Sequence, residues 1–156
     1  MPFTPLHLGL GASCKAIGNR KISFMIFAGT QVLIDLEPLL GMIYGWQYLH
    51  FYTHNFIGAL LIGGLATLLG KPISEWVLKF FNYPAWQISW KVAALSAFVG
   101  SFSHIFLDAL MHSDMYPFFP LSETLFLSTL VPYSVIFYGC LMGFVICGIG
   151  YLLRRP

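Results

Sequence analysis

The histidines and carboxylates of this sequence recur at a spacing that suits metal binding. His50 and His54 are four residues apart, and His104, Asp108 and His112 follow one another at the same interval. On a regular helix such residues lie on one face, so each set can point at a common centre. Imidazole and carboxylate together are the ligands of zinc and of several other divalent metals. The spacing therefore indicates a metal site assembled from at least two segments.

Two further carboxylates and one further histidine can join this site. Asp35 and Glu37 are two residues apart in an apolar stretch. Their side chains would diverge on a regular helix, but we expect Pro38, which lacks a backbone donor, to kink or end the helix there. A broken helix at membrane depth normally lines a polar cavity or is buried in protein. His7 reaches the same level if residues 5–17 form a short helix that runs inwards.

The composition is that of an integral membrane protein. The chain has 156 residues, of which 58% are hydrophobic and 9% charged, and its mean hydropathy is +0.77. An average soluble domain has about 25% charged residues. We expect one all-α membrane domain, residues 1–156, with four spans of the roughly 20 apolar residues that a bilayer requires. These spans are residues 22–44, 48–70, 92–112 and 131–153. Residues 5–17 are shorter and form either a short span or a re-entrant half-helix.

The basic residues predict the orientation. All eight lysines and arginines lie before the first span, between the second and third, or after the fourth. The positive-inside rule makes that side, including the C-terminus, cytoplasmic. With a rise of about 1.5 Å per helical residue, the histidines and carboxylates of three spans then share the outer half of the bilayer. A net charge of +2, spread along the chain, gives no reason to expect nucleic acid as a partner.

Other segments predict how the bundle meets the membrane and packs. Residues 71–91, KPISEWVLKFFNYPAWQISWK, combine tryptophans with lysines, which is typical of a cytoplasmic interfacial helix. Gly139 and Gly143, and a row of small residues that starts at Ala93, predict close helix packing within the bundle or between subunits. The three cysteines form no CxxC pattern and are expected to be small buried side chains. No basic region precedes the first apolar stretch, so a cleaved signal peptide is not expected.

Four blocks of the sequence resemble the YdjM-type family of predicted inner-membrane-bound metal-dependent hydrolases, which is distantly similar to zinc-dependent phospholipase C. The blocks are PFTPLHLGLGA, LIDLEP, HFYTHNFIGALL and SHIFLDALMHSDMYPFFP, within about residues 1–120. The last span matches in hydrophobicity only. The resemblance implies a prokaryotic inner membrane and hydrolysis of a phosphoester or lipid headgroup. The metal ligands that it implies are His7, Asp35, Glu37, His50, His54, His104 and Asp108.

The sequence departs from the family pattern at three places. The family's Pro-Asp-x-Asp reads IDLE here, so the second carboxylate, Glu37, is one methylene longer. The Arg-Gly common within the histidine pair reads FY here, which removes a possible anion-binding cation. His112 and Asp114 replace what is often a small polar residue and a glycine, and can supply an additional ligand or a base.

Together these features predict a membrane-embedded hydrolase that uses a divalent metal, with zinc preferred. The candidate ligands outnumber the three or four that one zinc ion needs, so two or more ions are plausible. Of Glu37 and Asp114, the one that is not a ligand would be the general base. The substrate, a phosphoester or lipid headgroup, would approach from the outer leaflet.

Other interpretations stay open at this point. The metal site could belong to a non-catalytic or structural subunit of a larger membrane complex, or to a homo-oligomer. The polar residues could also form a structural hydrogen-bond network or a proton path. Bis-histidine haem ligation is disfavoured, because carboxylates accompany nearly every histidine. A transporter is disfavoured because the sequence shows no internal repeat.

Overall fold

A computed structural model of the chain describes residues 6–84, 87–112, 115–122 and 130–153. These residues form five α-helices and one 3-10 turn, with no strand. The helices are α1 (His7–Gly18), α2 (Phe24–Tyr44), α3 (Phe56–Phe80), α4 (Trp90–Met111) and α5 (Tyr133–Leu152), and the 3-10 turn is Asn19–Lys21. Helices α2 to α5 are long and apolar enough to cross a membrane. The prediction of an all-α membrane protein with four spans and a short N-terminal helix is therefore confirmed.

Polar caps determine where three of the long helices begin. The side chains of Ser23, Asn55 and Ser89 each accept a hydrogen bond from the backbone N–H three residues ahead, at the starts of α2, α3 and α4. Such caps satisfy donors that the first turn of a helix leaves unpaired. Helix α2 ends at Gly45, whose φ of 68° is left-handed and therefore suits glycine.

One of our two expectations for Pro38, that helix α2 ends there, was wrong. The helix continues to Tyr44. Proline removes the N–H that would bind the carbonyl of Ile34, four residues earlier. The hydroxyl of Thr53 lies 3.1 Å from that carbonyl and 2.6 Å from Glu37 Oε2, so its single proton is shared between the two acceptors. A side chain from a neighbouring segment thus partly satisfies the group that proline leaves unpaired, and the helix persists.

The expected separate interfacial helix is instead the last part of α3. This helix has 25 residues, a length of about 37 Å, which exceeds the roughly 30 Å of the hydrocarbon core. Lys71 pairs with Glu75 one turn further on, and Trp76 stacks on Phe80, so local contacts continue the helix past the apolar run. Trp76 is 68% exposed, as an interfacial side chain should be.

Small residues allow the helices to pack closely, as predicted. Ala93 and Ala97 are completely buried within the bundle on α4. Gly143 of α5 lies against Gly9 of α1, where an added Cβ would come within 2.2 Å of the Gly9 carbonyl oxygen. At Gly139 no atom of the described residues lies within 4 Å of such a Cβ. Only one glycine of the pair therefore serves the packing of α1 on α5.

The helix directions define two ends of the bundle. One end, here called the polar end, holds the start of α1, the segment between α2 and α3, and the end of α4. The opposite end, the basic end, holds the 3-10 turn and the connection from α3 to α4. The histidines all lie towards the polar end.

Candidate metal centre

Four side chains from three segments converge at the polar end. Asp35 comes from α2, His54 from the segment before α3, and His104 and Asp108 from α4. Each offers one nitrogen or oxygen, and these atoms all lie within 4.8 Å of one another. We call these four residues the Asp–His cluster. They could hold a metal ion.

The two histidines of the cluster direct the Nε2 atom at the carboxylates. His104 Nε2 lies 3.0 Å from Asp108 Oδ2 and 3.2 Å from Asp35 Oδ1. His54 Nε2 lies 3.5 Å from Asp108 Oδ2 and 3.8 Å from Asp35 Oδ1. Both nitrogens are buried, and neither has a hydrogen-bond partner in the described part of the chain. Because buried polar atoms are nearly always satisfied, this arrangement fits a cation between the four groups.

Gln31 determines which nitrogen of His104 carries the proton. The Gln31 amide nitrogen donates to the carbonyl of Gly100 at 2.9 Å, so its Oε1 faces His104 Nδ1. An oxygen acceptor at Nδ1 requires the proton there in a neutral imidazole. The lone pair is then on Nε2, directed into the cluster, as a metal ligand needs.

His54 is held in the same tautomer by different groups. Its Nδ1 lies 3.4 Å from Glu37 Oε2 and 3.1 Å from Thr53 Oγ1. The carboxylate can only accept, so Nδ1 donates and Nε2 keeps its lone pair. A carboxylate behind a histidine is a common outer partner of metal-binding imidazole, and raises its basicity. Both histidines of the cluster therefore direct an Nε2 lone pair at the carboxylates, as a metal ligand would.

Glu37 also shapes the segment that carries His54. Its carboxylate accepts hydrogen bonds from the backbone N–H groups of Phe51, Tyr52 and Thr53, at 3.2, 2.6 and 2.6 Å. The Thr53 hydroxyl donates to it as well, at 2.6 Å. Glu37 is therefore a positioning residue for His54. Its predicted roles as a metal ligand and as a general base stay predictions.

The expectation that His50 and His54 share a helix face was wrong. Residues 46–55 are irregular, and α3 begins only at Phe56. The amides that a helix would use are bonded to Glu37, and Asn55 caps α3. His50 and His54 nevertheless remain in contact, with ring centroids 4.8 Å apart. A folded loop, and not a helix, produces the proximity that the spacing suggested.

The other three histidines lie around the Asp–His cluster. His7 is buried, its ring centroid is 4.8 Å from that of His104, and its Nε2 is 3.4 Å from Asp108 Oδ1. His50 stacks on His112 with centroids 4.6 Å apart. The structure thus brings the predicted ligands His7, His50 and His112 together beside the cluster, but does not place them within it. Asp114, the other predicted catalytic residue, lies outside the described residues.

Sequence reasoning missed two residues of the site. Gln31 precedes Asp35 by four positions, so the same helical spacing that drew attention to the histidines could have identified it. Thr53 gave no such signal, because its role depends on the fold of the segment around Glu37.

One edge of the Asp–His cluster is reachable from outside the protein. The side chain of Asp35 is 21% exposed, whereas those of His54 and Asp108 are 0% and 6% exposed. Structural zinc sites are closed by protein ligands, and catalytic sites keep a position open to substrate. At Asp35 the cluster is therefore less enclosed by protein than at His54 and Asp108.

The fold and the site together define a class: an all-α membrane protein with a candidate metal centre of two histidines and two aspartates. The chain matches no protein-family model, no curated protein and no solved structure. The resemblance to the YdjM-type family therefore stays a prediction.

Proposed function

We propose that this protein is a membrane-embedded metal-dependent hydrolase that acts on a phosphoester or lipid headgroup, with zinc as its metal. The observation that supports this function most is the Asp–His cluster, in which two buried imidazole lone pairs meet two carboxylates. A mixed nitrogen and oxygen set suits zinc. The exposed edge at Asp35 supports a catalytic role over a closed structural one.

The residues of the site have two proposed roles: some are metal ligands, and others orient those ligands. Asp35, His54, His104 and Asp108 would hold the ion. When bound, a divalent metal polarises a phosphoryl oxygen and lowers the pKa of a water molecule to about 7. Gln31 and Glu37 hold the imidazole protons on the far side of the rings, so the Nε2 lone pairs face the centre.

The neighbouring histidines favour more than one ion. Asp108 presents Oδ2 to the Asp–His cluster and Oδ1 to His7. A carboxylate that shows one oxygen to each side is suited to two adjacent ions, and paired ions recur in enzymes that cleave phosphoesters. His50 and His112, stacked beside His54, extend the set of nitrogen ligands.

The surroundings of the site suit a lipid headgroup. Tyr44, Trp46, Tyr48 and Tyr52 follow one another near the polar end and are 44–73% exposed. Such aromatic side chains gather at the level of the headgroups. In this proposal the positive-inside rule makes the basic end and the C-terminus cytoplasmic, so the site faces the outer leaflet of a prokaryotic inner membrane.

The test is a hydrolysis assay on zinc-reconstituted protein in detergent, with phospholipid and with a water-soluble phosphoester. Asp108→Asn keeps the size of the side chain but removes the charge of a proposed ligand, so we expect turnover to fall by more than about 100-fold, beyond the loss seen for outer partners of ligands. Glu75→Gln, at the basic end, is the matched control and should keep full turnover. Turnover that survives both Asp108→Asn and chelation would contradict the proposal.

One observation favours a second candidate, a non-catalytic metal-binding subunit of a larger membrane complex. Glu37 uses both carboxylate oxygens to hold residues 51–54. The other predicted base, Asp114, lies outside the described residues. Bound metal without turnover on either class of substrate would support this candidate.

A further inference from the structure

A surface groove at the polar end is lined in part by the segment that also carries His54. Its volume is about 190 Å³, and it runs between the segment before α3, the first turns of α3 and the residues around Phe119. Its lining includes Phe51, Tyr52, Ile57, Leu61 and Phe119. The rings of Phe51 and Phe119 are 4.9 Å apart and form one wall. The groove is therefore lined largely by hydrocarbon.

The groove opens where the protein faces lipid. Ile57 and Leu61 are one turn apart on α3, a spanning helix, and are 48% and 68% exposed. In a bilayer, exposed apolar surface of a spanning helix is covered by lipid chains. Tyr52, at the rim, is 73% exposed and has the amphipathic character of a headgroup-level side chain. The groove thus runs from headgroup level towards the hydrocarbon.

The same short segment separates the groove from the Asp–His cluster. Phe51 and Tyr52 line the groove, while His54 of that segment points its Nε2 at the cluster. Glu37 fixes the segment through the amides of residues 51–53. The groove and the Asp–His cluster are therefore lined by neighbouring residues of one fixed segment.

We infer that this groove binds an acyl chain of a bilayer lipid, and that it selects lipid esters over water-soluble phosphoesters as substrates. The selection rests on the proposed hydrolase function. The binding of an acyl chain does not, because it follows from the groove and its position in the membrane.

Photolabelling tests the binding directly. The protein is reconstituted into phosphatidylcholine vesicles that contain a trace of phosphatidylcholine with a diazirine on one acyl chain, and labelled peptides are mapped by mass spectrometry. Leu61→Trp fills the groove. Leu68→Trp is the matched control, because Leu68 lies two turns further along the same face of α3 and is 63% exposed, against 68% for Leu61.

We expect label on residues 51–61 of the wild type and of Leu68→Trp. In Leu61→Trp most of this label should be lost, because the indole occupies the groove and the displaced acyl chain returns to the surrounding lipid. Label spread evenly over all exposed helix faces, or an equal loss in both variants, would overturn the inference. A disulfide between two copies of a Leu61→Cys variant in the same vesicles would overturn it too, because a second chain would then cover the groove.

Metal content and turnover, measured on the same samples, separate this inference from the proposed function. Groove labelling in a protein that binds no metal supports acyl-chain binding and contradicts the proposed hydrolase function. Metal and turnover of a soluble phosphoester, without groove labelling, support the hydrolase and overturn the inference. A rise in KM for phospholipid alone in Leu61→Trp supports both.

Discussion

The two ends of the bundle differ in whether the atoms of their ionisable groups have hydrogen-bond partners. At the basic end, Lys71 donates to both oxygens of Glu75 at 2.7 Å, and the N–H of Ile88 donates to one of them at 2.7 Å. The carboxylate joins α3 to the connection that leads into α4. Each carboxylate oxygen of Glu75 has a donor, so we interpret Glu75 as a structural residue.

At the polar end, buried imidazole nitrogens lie within ion-pair distance of carboxylates but make no hydrogen bond to them. His54 Nε2 and His104 Nε2 are buried between two carboxylates and have no hydrogen-bond partner among the residues described. Yet their Nδ1 atoms have acceptors. The pairing of the atoms, more than the number of charges, therefore distinguishes the candidate metal site from the structural ion pair.

The largest expected effect comes from removing a ligand at the polar end. In His104→Ala or Asp108→Ala, we expect the affinity for zinc to fall by more than about 100-fold, beyond the loss seen for outer partners. Competition with a chelator of known affinity measures it. Lys71→Ala at the basic end is the control. If the ligand variants bind zinc as tightly as this control, the two ends do not differ as described.

Gln31→Leu should have the next largest effect. It removes the acceptor of His104 Nδ1, so the imidazole loses both its tautomer and its orientation. We expect a loss of about 10- to 100-fold in metal affinity, the range for outer partners of ligands. Gln47→Leu, at an exposed position, is the control. Equal affinity in the two variants would show that the amide has no part in holding the site.

Glu37→Gln tests the positioning of the segment before α3. The amide cannot accept at both ends, so at least one buried donor loses its partner, at a cost of about 1–3 kcal/mol. Thermal unfolding of the metal-free protein should report this loss, and metal affinity should fall about tenfold because His54 loses its carboxylate partner. Lower affinity with unchanged stability would instead indicate that Glu37 is itself a ligand.

The smallest effect is expected at the basic end. Glu75→Gln weakens a partly exposed ion pair, and such pairs contribute about 1 kcal/mol or less. Unfolding in detergent should show a small loss of stability, with metal content equal to that of the wild type. Reduced metal content in this variant would contradict the conclusion that only the polar end binds metal.

The coarse architecture could be predicted from the sequence because a bilayer imposes it. Apolar runs of spanning length specify the four long helices, and the cost of ionisable groups in a membrane makes histidine and aspartate within such runs conspicuous. Helical spacing was sufficient on α4, where His104 and Asp108 do share a face of a regular helix. Spacing and depth along the spans were therefore enough to assign these two residues and Asp35 to one level.

The details that failed depend on contacts between distant segments. Thr53 partly supplies the hydrogen bond that Pro38 cannot, and Glu37 bonds the amides of residues 51–53. Neither contact produces a repeating pattern in the sequence. The continuation of α2 and the irregular conformation around His50 could therefore not be predicted from residue spacing. Periodicity reports helix faces. It does not report the partners that end or extend a helix.

The most direct test of the metal centre is the metal content of detergent-purified protein, measured by elemental mass spectrometry on the wild type beside His54→Ala and Glu75→Gln. We predict stoichiometric zinc or another divalent metal in the wild type and in Glu75→Gln, and its loss in His54→Ala. A wild type without metal, even after reconstitution with zinc, or a His54→Ala variant that retains it, would contradict the assignment of the Asp–His cluster.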